Sequence, residues 1–471
     1  MIATSIGRVV QFIVIFFTIK ISTTFLSPSE LAKLYLINSI AAFFALIFIN
    51  PVGAFMNRRF HPWNNSGKIR SYYLYFIFYL VIISFFSVLC ILPLVSLDFI
   101  KIDLPHINTL LLVAGSLLII CSNQSLIPTL NFLGRTKWFS ILTVLTSAIS
   151  LLLSTLLVNF LQSNVSYWLL GIFISNLIFT IIGGFIFLNS IKPLQSNASL
   201  NKKHLNTAWD FGWPIALAVG LGWIQSQSYR FIAASTIGLA PLGMFLAGYG
   251  VGASLIIAFD SIMNTYLLPV FYKNIDLSNE IFPRKAWNTH SNTLFPSLFL
   301  ISLAIISCLK PLSHLMLGKD YWEASQFAAW GVANEVIKVF SGAFSIIPHA
   351  QMRTTTLIYP SIIGVLVFFI SILIFLQKFG PVGIGLSLVL SQLSSFIMLY
   401  LSTDKSLRSI ISLKEILNGL VYGSLILVAS FSVLLFVSSE SITSDVIQLL
   451  VIGCFYLIFQ FLLIRNKVIF I

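Results

Sequence analysis

The chain has 471 residues, of which 58% are hydrophobic and 9% are charged, and its formal net charge is +13. Its mean hydropathy is +0.98. These values exclude a soluble globular protein, whose surface would need many more charged residues, and they predict a membrane protein without a separate soluble domain.

Fourteen apolar stretches occupy nearly the whole chain. Because about 20 helical residues cross a bilayer core about 30 Å thick, each stretch predicts one transmembrane helix. The sequence therefore predicts an all-α polytopic membrane protein with about 14 transmembrane helices. The predicted spans are 7–26, 33–55, 72–97, 107–129, 138–160, 166–189, 211–234, 242–269, 291–315, 324–348, 357–377, 382–402, 416–437 and 445–464.

The basic residues fall almost entirely in every second connection between the predicted spans. If the N-terminus is cytoplasmic, 19 of the 27 Lys and Arg residues lie on the cytoplasmic side. By the positive-inside rule, both termini are then expected to face the cytoplasm. Membrane orientation accounts for most of the net charge, so we predict no nucleic-acid partner. The opposite loops hold only Lys33, Lys101, Lys310, Lys319 and Lys378.

The sequence signals of nucleotide use and of catalysis are missing. The chain has no G-x-x-x-x-G-K-[ST] phosphate loop. The run Gly248-Tyr-Gly-Val-Gly252 lies at the start of an apolar span, where small residues favour close helix packing over dinucleotide binding. The longest loop on the non-cytoplasmic side covers only residues 98–107. We therefore predict no cofactor, no metal site and no catalytic residue, as expected of a protein that is not an enzyme.

Two halves of the chain resemble each other. A shift of 210 residues aligns the Ser/Pro/Gly turn at 25–35 with the turn at 235–245, and it places Lys20 on Arg230. This repeat predicts two pseudo-symmetric six-helix lobes that face each other around a central cavity. The predicted boundaries are 1–190 for the first lobe, 191–210 for a cytoplasmic linker, 211–402 for the second lobe and 403–471 for a two-helix extension.

Five charged residues are placed at bilayer depth, namely Lys20, Arg230, Asp260, Glu335 and Lys338. Charges at this depth are rare and often functional. The alternative for Lys20 and Arg230 is that they reach the nearby membrane surface, and the alternative for Glu335 and Lys338 is a self-neutralising pair on one helix face. Three cations against two anions favour an anionic ligand. We therefore predict that Lys20, Arg230 and Lys338 bind substrate, and that Glu335 and Asp260 bind a coupling ion.

Four amide side chains extend the predicted substrate site. Asn123 and Gln124 interrupt the fourth span, and Gln225 and Gln227 precede Arg230 in the seventh. Such groups can link helices through hydrogen bonds, or they can bind the hydroxyl groups of a sugar. Both interpretations stay open at this point, and under the second the four residues are substrate ligands.

Several motifs resemble one transporter family. They are Phe211-Gly-Trp-Pro-Ile215, Ser228-Tyr-Arg-Phe-Ile232, Leu26-Ser-Pro-Ser-Glu30 and Gly318-Lys-Asp-Tyr321. Together they resemble the polysaccharide transport (O-antigen flippase) family of the multidrug/oligosaccharidyl-lipid/polysaccharide exporter superfamily. The resemblance implies a flippase in the bacterial inner membrane that moves an undecaprenyl-pyrophosphate-linked oligosaccharide to the periplasmic leaflet by alternating access. It also implies a polysaccharide polymerase and a chain-length regulator as partners.

Three other functions are considered. A lipid II flippase would suit fourteen helices, although the start of the second lobe is more similar to the O-antigen branch. A drug or cation exporter of the same superfamily would favour an acidic cavity, which the cationic balance argues against. A membrane polymerase or acyltransferase usually has a long extracytoplasmic loop or an intramembrane catalytic His, and neither is evident here.

The predicted orientation can be tested with reporter fusions. Fusions after residues 64, 198, 280 and 410 should report the cytoplasm, and fusions after 103, 320 and 440 should report the periplasm, because the positive charges alternate in that order. A cytoplasmic signal at 440 would contradict the fourteen-helix topology.

Overall fold

The computed structural model describes residues 2–97, 102–193, 202–273, 284–350, 354–403, 405–408, 412–436 and 442–465. Throughout these ranges the secondary structure is helical, without a strand. Lys101 lies outside the described residues, as do the fusion points 198, 280, 410 and 440 and residues 194–201 of the predicted linker.

Fourteen long helices follow one another in the described part of the chain. They are α1 Ile2–Phe25, α2 Pro28–Asn65, α3 Ile69–Ser96, α4 His106–Phe132, α5 Thr136–Phe160, α6 Val165–Ser190, α7 Lys202–Gln227, α8 Leu239–Lys273, α9 Arg284–Ser307, α10 Ala328–Ala350, α11 Ile358–Phe379, α12 Pro381–Ser402, α13 Leu413–Phe436 and α14 Ile442–Arg465. Shorter helical segments are Tyr229–Thr236, Leu309–Met316, Lys319–Phe327, Thr354–Leu357 and Lys405–Arg408.

Each of the fourteen predicted spans coincides with one of these helices, which confirms the all-α polytopic fold. Among the described residues, eleven helices are long and apolar enough to cross a membrane, and Ile13–Phe25 forms a shorter apolar helix. The chain groups into two compact units, Met1–Gly243 and Met244–Ile471. The predicted lobes, their central cavity and their boundaries at 190, 211 and 403 stay predictions.

The helix bounds differ from the predicted spans in several places. Helix α7 begins at Lys202, so residues 202–210 of the predicted linker are helical, and the helix carries the exposed Trp209 and Trp213. Indole rings favour the membrane–water interface, which explains why the helix continues beyond its apolar part. The seventh span is interrupted at Ser228, and the ninth is interrupted at Cys308.

Two helices contain a wider π-helical turn. In α2 this turn covers Ala45–Ile49, and the backbone N–H of Asn50 donates to the carbonyl of Ala45. In a regular α-helix the ring of Pro51 would clash with the carbonyl of Ile47, and the wider turn removes that conflict. In α4 the turn covers Ser116–Ile120, where the Ser116 hydroxyl donates to the carbonyl of Leu112 at 2.8 Å.

A capped turn joins α1 to α2 in the first unit. The Ser27 hydroxyl accepts from the backbone N–H of Glu30 and caps α2. One carboxylate oxygen of Glu30 accepts from Lys33 Nζ at 2.8 Å, and the other accepts from the backbone N–H of Val165 at 2.7 Å. The buried Lys33 also pairs with Asp103 at 3.3 Å. These contacts give Lys33 a structural role.

In the second unit, helices α8 and α10 touch through their backbones. A Cβ atom on Gly331 would lie 2.2 Å from the carbonyl oxygen of Tyr249, and one on Gly252 would lie 2.1 Å from the carbonyl oxygen of Ala328. Only glycine permits this approach. The glycine run at 248–252 is therefore a helix-packing surface, as the sequence indicated.

The C-terminal helices α13 and α14 are attached to the second unit by polar contacts. The carbonyl of Ser307 accepts from the Ser430 hydroxyl at 2.7 Å and from Gln448 Nε2 at 3.3 Å. At the start of α14, Asp445 contacts His314 Nδ1 at 2.8 Å. Hydrogen bonds of this kind hold helices together where the surrounding lipid provides no hydrophobic driving force.

The glycine contact predicts unequal effects of one substitution at two sites of α10. Gly331→Ala should lower the free energy of unfolding by about 1–3 kcal/mol, because its methyl group meets a fixed carbonyl. Gly342→Ala has no atom within 4 Å of the new methyl group, so it should be neutral or slightly stabilising. Thermal unfolding of the two purified variants checks this, and equal midpoints would contradict the backbone contact.

Candidate functional site

Arg230 lies at the start of the short helix Tyr229–Thr236, directly after the interruption at Ser228. Its half-buried side chain turns towards α2. Nη1 donates to the Ser39 hydroxyl at 2.7 Å and to the carbonyl of Tyr35 at 3.4 Å, and Nε donates to the Tyr229 hydroxyl at 3.5 Å. The guanidinium carbon also lies 5.0 Å from the ring centre of Tyr35 and 5.6 Å from that of Tyr229. Two aromatic faces therefore stabilise the charge.

Side chains of α7 fix the position of Ser39. Trp223 Nε1 donates to the Ser39 carbonyl at 2.9 Å, and Gln227 Oε1 lies 3.2 Å from the Ser39 hydroxyl. Ser39 itself is fully buried. We call Tyr35, Ser39, Trp223, Gln227, Tyr229 and Arg230 the Arg230 site. Each member is held by at least one other, so the guanidinium is presented by a preorganised framework.

The Arg230 site contains a cation without a carboxylate. Among the described residues, no Asp or Glu oxygen lies within 4.0 Å of the guanidinium. Nη2 likewise has no hydrogen-bond acceptor in that part of the chain. Guanidinium groups bind phosphate and carboxylate through paired N–H donors. The arrangement suits an anionic ligand.

Lys20, the counterpart of Arg230 in the predicted repeat, lies in α1 with a half-buried side chain. Within the described residues, the hydrogen bonds of Arg230 go to α2 and to its own helix, so Lys20 is not among its partners. The substrate role of Lys20 stays a prediction.

The second unit contains a different arrangement, which we call the Glu335 network. Oε1 of the buried Glu335 accepts from Lys338 Nζ at 2.6 Å, from the Tyr249 hydroxyl at 3.1 Å and from Asn334 Nδ2 at 3.3 Å. Asn334 Nδ2 also donates to the Tyr249 hydroxyl at 2.7 Å. The predicted pair on one face of α10 is therefore present and is extended by Tyr249 of α8.

The Glu335 network compensates its own charge. Lys338 has 35% of its side chain exposed, against 9% for Glu335, so the carboxylate is the better protected partner. Asp260 on α8 receives a hydrogen bond from Asn264 Nδ2 at 2.9 Å and interacts electrostatically with Glu335. Two carboxylates and one ammonium group thus share this part of the second unit. The roles predicted for Lys338, Glu335 and Asp260 are consistent with these positions but stay predictions.

The four predicted amides differ in their surroundings within the first unit. Asn123 is buried and donates to the carbonyl of Asn176 at 3.2 Å, whereas Gln124 is exposed. Both line a cavity of about 680 Å³, and Gln124 also lines a second cavity of about 330 Å³. Gln227 belongs to the Arg230 site, and Gln225 is half-buried in α7.

Sequence reasoning missed the partners of the charged residues. Tyr35 and Ser39 were not selected, and neither were Tyr249 and Asn334. A signal existed for Asn334, since it directly precedes Glu335 in an apolar span. For the described residues, no group of three or more His, Cys, Asp or Glu side chains is arranged to hold a metal ion.

Comparison with solved structures identifies the fold. A structure of the lipid II flippase MurJ in an inward closed conformation matches 99% of this chain and 99% of its own, with a TM-score of 0.65 and 17% identity. The fold of this chain is also similar to that of solved transporters of the MOP superfamily. An inward-facing MATE multidrug transporter of that superfamily matches 88% of this chain and 94% of its own, with a TM-score of 0.61 and 13% identity.

An outward-facing MATE transporter also matches, over 92% of this chain and 95% of its own, with a TM-score of 0.55 and 14% identity. A scan of protein-family models and a search of curated proteins gave no match. At these identities the likeness concerns the fold alone.

Proposed function

We propose that this protein is a flippase for an undecaprenyl-pyrophosphate-linked oligosaccharide, such as an O-antigen or similar surface polysaccharide unit. The substrate would move from the cytoplasmic to the periplasmic leaflet of a bacterial inner membrane, with both termini of the protein in the cytoplasm. A polysaccharide polymerase and a chain-length regulator would act on the product. The protein itself would not be an enzyme.

The observation that carries the proposal is the uncompensated guanidinium of Arg230. A cation within a membrane-spanning segment raises the free energy of the protein unless protein groups or a ligand stabilise it. Ser39, Tyr35 and Tyr229 hold one side of the group, and Nη2 has no acceptor among the described residues. A pyrophosphate would supply the missing acceptors and the missing negative charge.

The physical problem for such a substrate is its head group. Phosphate and sugar hydroxyl groups lose their hydrogen bonds with water in hydrocarbon, and each loss costs several kcal/mol. A binding site inside the protein lowers that barrier while the polyprenyl tail stays in lipid. Matching structures of this fold in inward-facing and outward-facing forms support transport by alternating access.

A lipid II flippase is the second candidate. The MurJ structure matches 99% of this chain, so the likeness extends through the C-terminal helices α13 and α14, whereas the two MATE structures match 88% and 92%. Lipid II also carries a polyprenyl pyrophosphate, and Arg230 would serve both substrates. A drug or cation exporter is less well supported, because an uncompensated cation repels a cationic ligand.

A reconstituted transport assay distinguishes these substrates. Proteoliposomes should translocate a fluorescent undecaprenyl-pyrophosphate oligosaccharide faster than protein-free liposomes, and faster than lipid II or the cation ethidium. Arg230→Ala should reduce the rate about 10- to 100-fold, because a charge-assisted hydrogen bond contributes about 1.5–3 kcal/mol. Arg230→Lys should retain part of the rate, since Lys keeps the charge but loses the paired donors.

The exposed Arg135 at the start of α5 provides the control. Arg135→Ala removes the same charge away from the Arg230 site and should transport normally. Lys20→Ala tests the repeat-related cation in the same assay. Normal transport by a Lys20→Ala/Arg230→Ala double variant would contradict the anion-binding role, and faster transport of lipid II would favour the second candidate.

We further propose that Glu335 carries the coupling proton, with Asp260 in a secondary role. Glu335 is buried, and its Oε1 atom is surrounded by Lys338, Tyr249 and Asn334. These groups and the nearby Asp260 set how readily the carboxylate binds a proton. A change in this environment during transport would couple proton binding to the movement of the substrate.

Glu335→Gln keeps the shape of the side chain and an oxygen that can accept from Tyr249, Asn334 and Lys338. If Glu335 is only part of a static pair, this variant should transport normally. If Glu335 is a coupling residue, the Glu335→Gln variant should transport more slowly, and its transport rate should depend less on pH between about pH 6 and 8. Asp260→Asn should have the smaller effect. Transport by Glu335→Gln that equals the wild type across this range would remove Glu335 from the mechanism.

A further inference from the structure

Helix α5 has two opposite faces that differ in chemistry. Leucine and isoleucine residues at 141, 145, 152 and 156 are exposed, as expected of a surface in contact with lipid. Hydroxyl side chains lie on the other side, at intervals of three and four residues, which places them on one helix face. They are Ser140, Thr143, Ser147, Ser150 and Ser154.

This hydroxyl face lines the cavity of about 680 Å³ in the first unit. The remaining walls come from α1, α4 and α6, and they include the amides of Asn123, Gln124 and Asn176. The volume lies within the range of small-molecule sites, about 300–1,000 Å³. Among the described residues that line the cavity, no side chain is charged.

Many polar groups of the cavity retain hydrogen-bonding capacity. The hydroxyl groups of Thr143 and Ser147 donate to backbone carbonyls of their own helix, at 2.8 and 3.1 Å, and their oxygens can still accept. Ser150 and Gln124 have no hydrogen-bond partner among the described residues. The cavity therefore offers acceptors throughout and donors at several points.

We propose that this cavity binds a neutral, hydroxyl-rich group, namely a sugar unit of the transported oligosaccharide. The inference rests on the proposed function and adds a site for the saccharide that is separate in chemistry from the Arg230 site. The described lining residues offer no carboxylate to a cationic ligand and no cation to an anionic ligand. A hydrocarbon tail would leave the polar groups unsatisfied.

The aromatic residues of the cavity also fit a sugar. Trp168 is buried in its wall, and the partly exposed Phe139 lies in its lining. The apolar face of a sugar ring can pack on an aromatic ring while its hydroxyl groups bond to serine, threonine and amide side chains. The hydroxyl face of α5 would then select for sugars by hydrogen bonding, and Arg230 would bind the phosphate that all such substrates share.

A matched pair of substitutions on α5 tests the proposal. Thr143 and Thr155 each donate to the carbonyl four residues earlier at 2.8 Å, but only Thr143 lines the cavity. Thr143→Val and Thr155→Val therefore remove the same hydroxyl group and the same internal hydrogen bond. Ser147→Leu is a second cavity variant that fills space.

The experiment measures binding to the full-length protein in lipid nanodiscs. The probes are the methyl glycosides of glucose, galactose, mannose and N-acetylglucosamine, with inorganic pyrophosphate and tetraphenylphosphonium as charged comparisons. At least one glycoside should bind, and Thr143→Val should weaken it about fivefold, which corresponds to one lost hydrogen bond. Ser147→Leu should abolish binding, whereas Thr155→Val should leave it unchanged. Pyrophosphate binding should depend on Arg230 and not on Thr143.

The other possible results of this experiment would contradict the cavity proposal or the proposed function. Pyrophosphate binding without glycoside binding would overturn the cavity proposal and leave the proposed function intact. Equal effects of Thr143→Val and Thr155→Val would place the sugar site elsewhere and overturn the proposal. Loss of tetraphenylphosphonium binding in Thr143→Val would identify a cation site instead. Failure of pyrophosphate binding together with failure of oligosaccharide transport would overturn the proposed function itself.

Discussion

The hydrocarbon core of a membrane offers no hydrogen-bond partner, and this constraint governs the structure at every level. It requires the backbone to be helical across each span. It also requires polar side chains to find partners within the protein. Asn123 meets the carbonyl of Asn176, Ser430 meets that of Ser307, and Trp223 meets that of Ser39. Several polar side chains of this apolar chain therefore bond across the contacts between helices.

Charged side chains within the helices are stabilised in different ways in the two units. In the second unit, Glu335 and Lys338 neutralise each other, and Glu335 also accepts hydrogen bonds from Tyr249 and Asn334. In the first, aromatic faces and a serine hydroxyl stabilise Arg230 without neutralising it. Aromatic rings lower the cost of a cation but leave its net charge in place. The hydrogen-bonded Glu335 carboxylate suits a change of protonation. The Arg230 guanidinium, which has no carboxylate partner among the described residues, suits the binding of an anion.

Sequence reasoning predicted the elements that depend on local composition. Fourteen apolar stretches became fourteen helices, and the glycine run at 248–252 packs against a neighbouring helix as expected. The i, i+3 spacing also identified the Glu335–Lys338 pair. The partners of Arg230 could not be found in this way, because Ser39 lies 191 residues earlier in the chain. The interruption at Ser228 escaped prediction too, since serine occurs within many continuous membrane helices.

The π-helical turn in α2 has a consequence for the geometry of this long helix. Tyr35 and Ser39 precede the turn at Ala45–Ile49, and the segment Asn50–Asn65 follows it. One residue more or less in a helix rotates everything beyond it by about 100° and shifts it by about 1.5 Å. The π-helical turn therefore sets the rotation of the segment before it relative to the segment after it. Deleting a single residue there would turn Tyr35 and Ser39 away from the guanidinium while leaving the composition of both halves almost unchanged.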